Sequence, residues 1–80
     1  MFDQAMRMRA LGIIAEQVGI DPLKLDDDTT IAAIGADSLD CVEIGLELEE
    51  EFDIELPDEG VTTDLTVGKV LGMVQERWEA

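Results

Sequence analysis

Asp37-Ser38-Leu39-Asp40-Cys41-Val42-Glu43-Ile44-Gly45-Leu46-Glu47-Leu48-Glu49-Glu50-Glu51-Phe52 decides how this 80-residue chain is read. Turned by about 100° per residue, the apolar positions of this stretch separate into two sets on a helix. Cys41, Ile44, Gly45, Leu48 and Phe52 fall on one side. Leu39, Val42 and Leu46 fall almost opposite. Asp37 is a good N-cap, and Asp40 places a carboxylate in the first turn, where the helix dipole favours it. Pro57 requires the helix to end before it. The pattern predicts a helix over residues 38–52. A small bundle needs one face of each helix for its core. The wider set, with Phe52, is assigned there. The narrower set is then left among Glu43, Glu47, Glu49 and Glu50. Two readings of it stay open. It lies under a neighbouring loop, or it is a docking surface with an apolar centre and an acidic rim that steers basic partners.

Working outward, residues 2–18 carry Met6, Ala10, Ile13, Ile14 and Val18 at helical spacing, and Gly19 is a natural stop. Asp21-Pro22 reads as a cap followed by a first-turn proline, opening one turn through Leu25. Residues 19–36 make a long connection. Structureless loops of that length are uncommon in compact domains. This one holds Ile20, Leu23, Leu25, Ile31 and Ile34, so it is expected to lie across the core as an ordered loop that Gly35 ends. Beyond the central helix, Asp58-Glu59-Gly60-Val61 is predicted to form one short turn. Thr66 caps a last helix whose Val67, Val70, Leu71, Val74 and Trp78 share a face. Gly68 and Gly72 each weaken that helix by about 1 kcal/mol relative to alanine. There is no strand signal, repeat or linker. The expected fold is all-α. It is a small bundle of three main helices plus a short third-helix turn, with a long ordered loop between the first and second helices, in one domain over residues 1–80.

Composition removes whole classes of function. There are 20 acids against 5 bases and no histidine, for a net charge of −15, yet 46% of residues are hydrophobic. A disordered acidic tail would be poor in them, so the chain folds and carries an acidic surface. No base stands between Lys24 and Lys69, while fifteen acids do. Such repulsion weakens the compact state and makes it salt-sensitive. Nucleic acid and anionic membrane surfaces need a basic face, which is missing. No apolar run approaches the roughly 20 residues of a membrane span, and Arg7 and Arg9 precede only a short, Gly-broken stretch unlike a signal peptide. One cysteine and no histidine exclude an intrachain disulfide, ordinary zinc sites and histidine-assisted triads. A free Cys41 fits a reducing, cytoplasmic setting. The chain is a poor enzyme candidate, with no catalytic residue to assign.

Gly35-Ala36-Asp37-Ser38-Leu39-Asp40 resembles the attachment motif of acyl carrier proteins. The likeness continues through Val42-Glu43, Leu48-Glu49-Glu50-Glu51-Phe52-Asp53 and Leu56-Pro57-Asp58-Glu59. It reaches more weakly to Ile13-Ile14-Ala15-Glu16-Gln17-Val18-Gly19 and to Thr66-Val67, covering nearly the whole chain. The resemblance implies that a phosphopantetheinyl transferase attaches 4′-phosphopantetheine, the cofactor, covalently to Ser38. The arm's thiol would hold acyl groups as thioesters for fatty-acid, polyketide or related acyl-transfer and synthase enzymes with basic docking patches. It further implies that Asp37, Leu39, Glu43, Leu46, Glu49 and Glu50 meet those partners; the helical wheel adds Val42 and Glu47. A groove between the helices would shelter the acyl chain, with Cys41, Ile44, Gly45 and Leu48 as its candidates. Gly45 stands where the family often has a larger apolar residue and Cys41 where threonine is common; the first reading is a tolerated helix glycine and a small buried hydrophobe, and the alternative is a widened or reshaped groove.

The pattern of Val61-Thr62-Thr63-Asp64-Leu65 lacks the charged third helix of the common fatty-acid carriers, which leaves open a housekeeping or a specialised role. A chain beginning at Met1 is expected to act as a free-standing monomer in a dissociated system. Alternatives from other classes are a peptidyl or D-alanyl carrier, and a plain acidic interaction module. The module leaves Ser38 and its flanking motif unexplained. Asp26 to Asp37 imitates a calcium loop at its first and third positions, but Ile31 stands where glycine is required, and Asp37 replaces the closing glutamate. No metal site is assigned.

Overall fold

The computed structural model describes residues 1–80. Three helices carry the chain: α1 (Gln4–Val18), α2 (Ser38–Phe52) and α3 (Val67–Glu79). There is no strand, only one isolated antiparallel bridge between Thr30 and Thr66. α1 begins two residues later than the expected start because Asp3 takes the capping position. Its carboxylate accepts the Met6 N–H at 3.0 Å. Phe2 instead packs against Phe52 and Trp78, with ring centroids 5.8 and 6.2 Å away, and the Arg9 guanidinium stands 5.5 Å above the Phe52 ring. This aromatic cluster closes one end of the bundle, some 20 Å along α2 from its N-terminus at about 1.5 Å per residue.

The core joins all three helices. Ile14, Ile31, Ile44, Leu48, Val67, Val70 and Val74 are fully buried. Each stabilises the fold by about 1.5–3 kcal/mol relative to leaving it exposed. Helix α2 buries Cys41, Ile44, Leu48 and Phe52, the face assigned from its periodicity. Helix α1 buries Ala10, Leu11, Ile14 and Ala15, with Met6, Ile13 and Val18 half-buried at the flank. Its buried stripe is therefore shifted from the predicted one. Ala10 and Ile14 are buried as expected, while Leu11 and Ala15 take the places expected of Met6, Ile13 and Val18.

The connection over residues 19–36 is ordered by two short 3-10 turns, Pro22–Lys24 and Ala32–Ile34. Ile31 is fully buried, and Ile20, Leu25 and Ile34 are half-buried. Leu23 departs from the expectation and is 78% exposed. It sits in the middle of a three-residue turn whose flanking Pro22 and Leu25 are half-buried, so the turn directs it to water. Gly35, at φ +93°, turns the chain into α2 through a backbone conformation that side chains resist.

Residues 53–66 return to α3. The short element expected over Asp58–Val61 is a single turn one residue earlier, in which the Gly60 N–H donates to the Pro57 carbonyl at 2.8 Å. The two connections are then laced together. Ile31 N–H donates to Leu65 O at 2.8 Å and Ala32 N–H to Thr63 O at 2.9 Å. Val67 N–H donates to Thr29 O at 2.8 Å and Gly68 N–H to Asp27 O at 2.9 Å. Gly68 is thus more than a weak point in α3. A Cβ there would lie 3.0 Å from the Asp27 Cβ and 3.1 Å from its carbonyl oxygen. Arg7 pairs with Asp27 and Arg9 with Glu51. Such exposed pairs are worth about 0–1 kcal/mol each, so they do little against the overall repulsion.

Candidate functional site

The N-terminus of α2 is built by carboxylates that cap one another's backbone. Asp37 Oδ1 accepts the Asp40 N–H at 2.9 Å, and Asp40 Oδ2 accepts the Asp37 N–H at 3.0 Å. This reciprocal box uses Asp40 for more than its charge. From α1, the Gln17 side-chain amide donates to the other Asp40 oxygen at 3.2 Å. The Asp37 N–H first, and then Gln17, hold the Asp40 carboxyl below the usual aspartate range. Sequence reasoning missed Gln17. Its only signal was a polar residue in the last turn of α1.

Ser38 is held inside this box, at the first position of α2, with its side chain exposed. The backbone N–H groups of Ser38 and Leu39 find no acceptor in the protein, as the first N–H groups of a helix generally do. Three residues on, Cys41 is buried and its thiol is pushed up, chiefly by desolvation and secondarily by the Asp40 and Asp37 charges. It is a suppressed nucleophile.

Below Ser38 the second apolar stripe lies open. Leu39 is 75%, Val42 58% and Leu46 55% exposed, so no loop covers them. Asp37, Glu43, Glu47 and Glu50 are exposed around this stripe and form no ion pair. Glu49 differs. It is half-buried, and its Oε2 accepts the Leu56 N–H at 2.8 Å.

A cavity of about 270 Å³ opens between α2 and residues 56–61. Cys41 and Gly45 line it, as do Val42, Leu46 and Glu49. Ile44 and Leu48 do not reach it. They are fully buried in the core. The far wall comes from Leu56 and Val61, which sequence reasoning left out of the groove. Their signal was two apolar residues within an otherwise acidic return segment. A Cβ on Gly45 would stand 4.0 Å from both the Leu56 and Val61 side chains, so the glycine leaves space without being demanded by it. No helix is long and apolar enough to cross a membrane, and no three acids are grouped so as to hold a metal ion.

Comparison with known proteins bears on this arrangement. The family model described as "Phosphopantetheine attachment site" matches residues 9–74, which include the box around Ser38 and the cavity. The acyl carrier protein of Bdellovibrio bacteriovorus is 40% identical over 77 residues, covering 95% of this chain and 99% of that protein. The acyl carrier protein of Clostridium acetobutylicum is 46% identical over 68 residues, covering 84% of this chain and 88% of that protein. With three helices around one core, a serine presented at the start of α2 and matches along most of its length, the chain belongs to the acyl carrier protein family, whose domain bears a phosphopantetheine attachment site.

Proposed function

We propose that this chain carries acyl groups as thioesters on a 4′-phosphopantetheine arm joined to Ser38. The observation that carries this reading is the exposed Ser38 hydroxyl beside two backbone N–H groups without acceptors. The residues fit the group. A helix N-terminus favours an anion such as a phosphodiester, and the nearest carboxylates, Asp37 and Asp40, are already turned onto backbone N–H groups. When bound, the group supplies a thiol on a flexible arm, which raises the local concentration of cargo wherever the carrier docks.

The chain itself presents, docks and shelters. The capping box fixes the first turn so that Ser38 faces outward. With no histidine, the chain offers Ser38 no base, so a phosphopantetheinyl transferase must supply one. The chain is a substrate and carrier for enzymes and catalyses nothing. Leu39, Val42 and Leu46 offer apolar contact to partners, framed by Asp37, Glu43, Glu47 and Glu50, which attract basic docking patches on acyl-transfer and synthase enzymes. The cavity lined by Cys41 and Gly45 shelters cargo, with Ile44 and Leu48 as packing behind it. We place the chain in the cytoplasm as a monomer, one acyl-carrier domain over residues 1–80, serving fatty-acid, polyketide or related synthesis.

The test is direct. Incubation with coenzyme A and a broad-specificity phosphopantetheinyl transferase should add one phosphopantetheine by intact mass, and Ser38→Ala should abolish the addition. An unmodified wild-type mass, or a modified Ser38→Ala mass, defeats the reading.

A further inference from the structure

Glu49 is set apart from the other acids of α2 by what its carboxylate touches. Asp37 aside, the acids of the docking face reach only solvent, whereas Glu49 turns back along its own helix and accepts the Leu56 N–H at 2.8 Å. Its backbone carbonyl accepts the Ile54 N–H at 3.1 Å, just after Asp53 ends the helix at φ +53°. One residue therefore holds both ends of the Ile54–Leu56 strap. Leu56 is the strap residue that faces Gly45 across the cavity. Between Leu56 and the Pro57–Gly60 turn, no other hydrogen bond ties this segment to α2.

We propose that Glu49 is a positioning residue for the cavity: its carboxylate clasps Leu56 and so keeps the 54–56 strap closed over the space beside Cys41 and Gly45. On the carrier reading, which this inference rests on for its cargo, Glu49 governs how well the acyl chain is shielded. The role needs an acceptor oxygen and not a negative charge. That separates it from a docking role, which needs the charge. Glutamine keeps the oxygen and loses the charge, while methionine has a similar size and loses both.

Cys41 is the only cysteine and lines the cavity, so it reports on opening in protein that has not yet been modified. In the unmodified protein, Glu49→Met should speed exchange of the Leu56 amide by about tenfold, the scale of a lost hydrogen bond. It should speed labelling of Cys41 by N-ethylmaleimide by several-fold, while Glu49→Gln stays within about threefold of wild type in both readouts. Removal of the charge is common to the two variants, so their difference isolates the acceptor. Unchanged Leu56 exchange in Glu49→Met, or equal effects of glutamine and methionine, overturns the clasp. A third arm uses the octanoyl-thioester form and measures cleavage by hydroxylamine, which Glu49→Met should accelerate and Glu49→Gln should not. If exchange and labelling respond but cleavage does not, the clasp stands and the cavity is not the cargo's place. If no thioester form can be made, the carrier reading fails, and the first two arms still decide the clasp.

Discussion

The two connections of this bundle differ in how they are held. Residues 19–36 are longer, yet they are pinned. Ile31 is fully buried, and four backbone hydrogen bonds lace residues 27–32 to residues 63–68. In the return connection, residues 53–66, only Thr63 and Leu65 share this lacing, and residues 53–62 have none. They are held by the Glu49 clasp, by one internal turn, by Val61 in the core and by Ile54 and Leu56 packed partly against it, and they border the 270 Å³ cavity on one side and a 410 Å³ hollow toward Met73 on the other. Length is therefore a poor guide to rigidity. The pinned connection builds the scaffold that presents Ser38. The loosely held one forms the outer wall of the cavity beside Cys41 and Gly45.

The largest effect that would break this contrast is on stability. Ile31→Ala empties a fully buried site and should cost about 2–5 kcal/mol. Leu56→Ala removes a half-buried side chain that already borders open space, and should cost less than half as much. Urea melts of the two variants measure the ratio. Equal losses would show that both connections are structural in the same degree.

Two glycines sharpen the contrast by sign. At Gly68 a new Cβ meets Asp27, which cannot retreat without giving up its hydrogen bond from the Gly68 N–H. Overpacking costs about 1–3 kcal/mol and the gain in helix propensity returns up to about 1, so Gly68→Ala should destabilise by about 1 kcal/mol. At Gly45 the new methyl finds only ordinary contact with Leu56 and Val61. Gly45→Ala should stabilise by about 0.5–1 kcal/mol through helix propensity. Thermal melts that move in the same direction for both would erase the distinction between the pinned and the loose wall.

The sequence made α2 legible because cap, periodicity and stop agreed: Asp37, the two apolar sets and Pro57 all describe Ser38–Phe52. The exposed Leu39–Val42–Leu46 stripe followed from the same wheel. What stayed hidden required contacts between distant positions. Gln17 meets Asp40, Glu49 turns from the rim to Leu56, and Gly68 abuts Asp27. None of these leaves a periodic trace. Ile44 and Leu48 share a helix face with Cys41 and Gly45, but a face is wider than a cavity. Leu56 and Val61 lie in a return segment with neither period nor length, so no pattern marks them as the far wall.

The smallest effect concerns the last link of the pinned connection, where it hands over to α2 at the capping box. The Asp37 N–H and the Gln17 amide both favour the charged form of Asp40, so its pKa is lower in the folded chain than in the unfolded one. A depressed carboxyl pKa contributes stability above the unfolded value, and that contribution is lost as pH falls through the folded value. Asp40→Asn keeps the shape and one acceptor oxygen but cannot titrate. The stability gap between wild type and this variant should therefore be widest at neutral pH. It should close on acidification below the ordinary aspartate range of about 4. Acid also relieves the repulsion among the remaining acids, which raises stability in both proteins. That effect is shared and largely cancels in the difference, so the gap reads Asp40 against an otherwise heavily charged background. A gap that stays constant from neutral to acid pH would mean that the Asp40 charge gains nothing from the box, and that the first turn of α2, with Ser38 in it, is held by the Asp37 cap and the backbone.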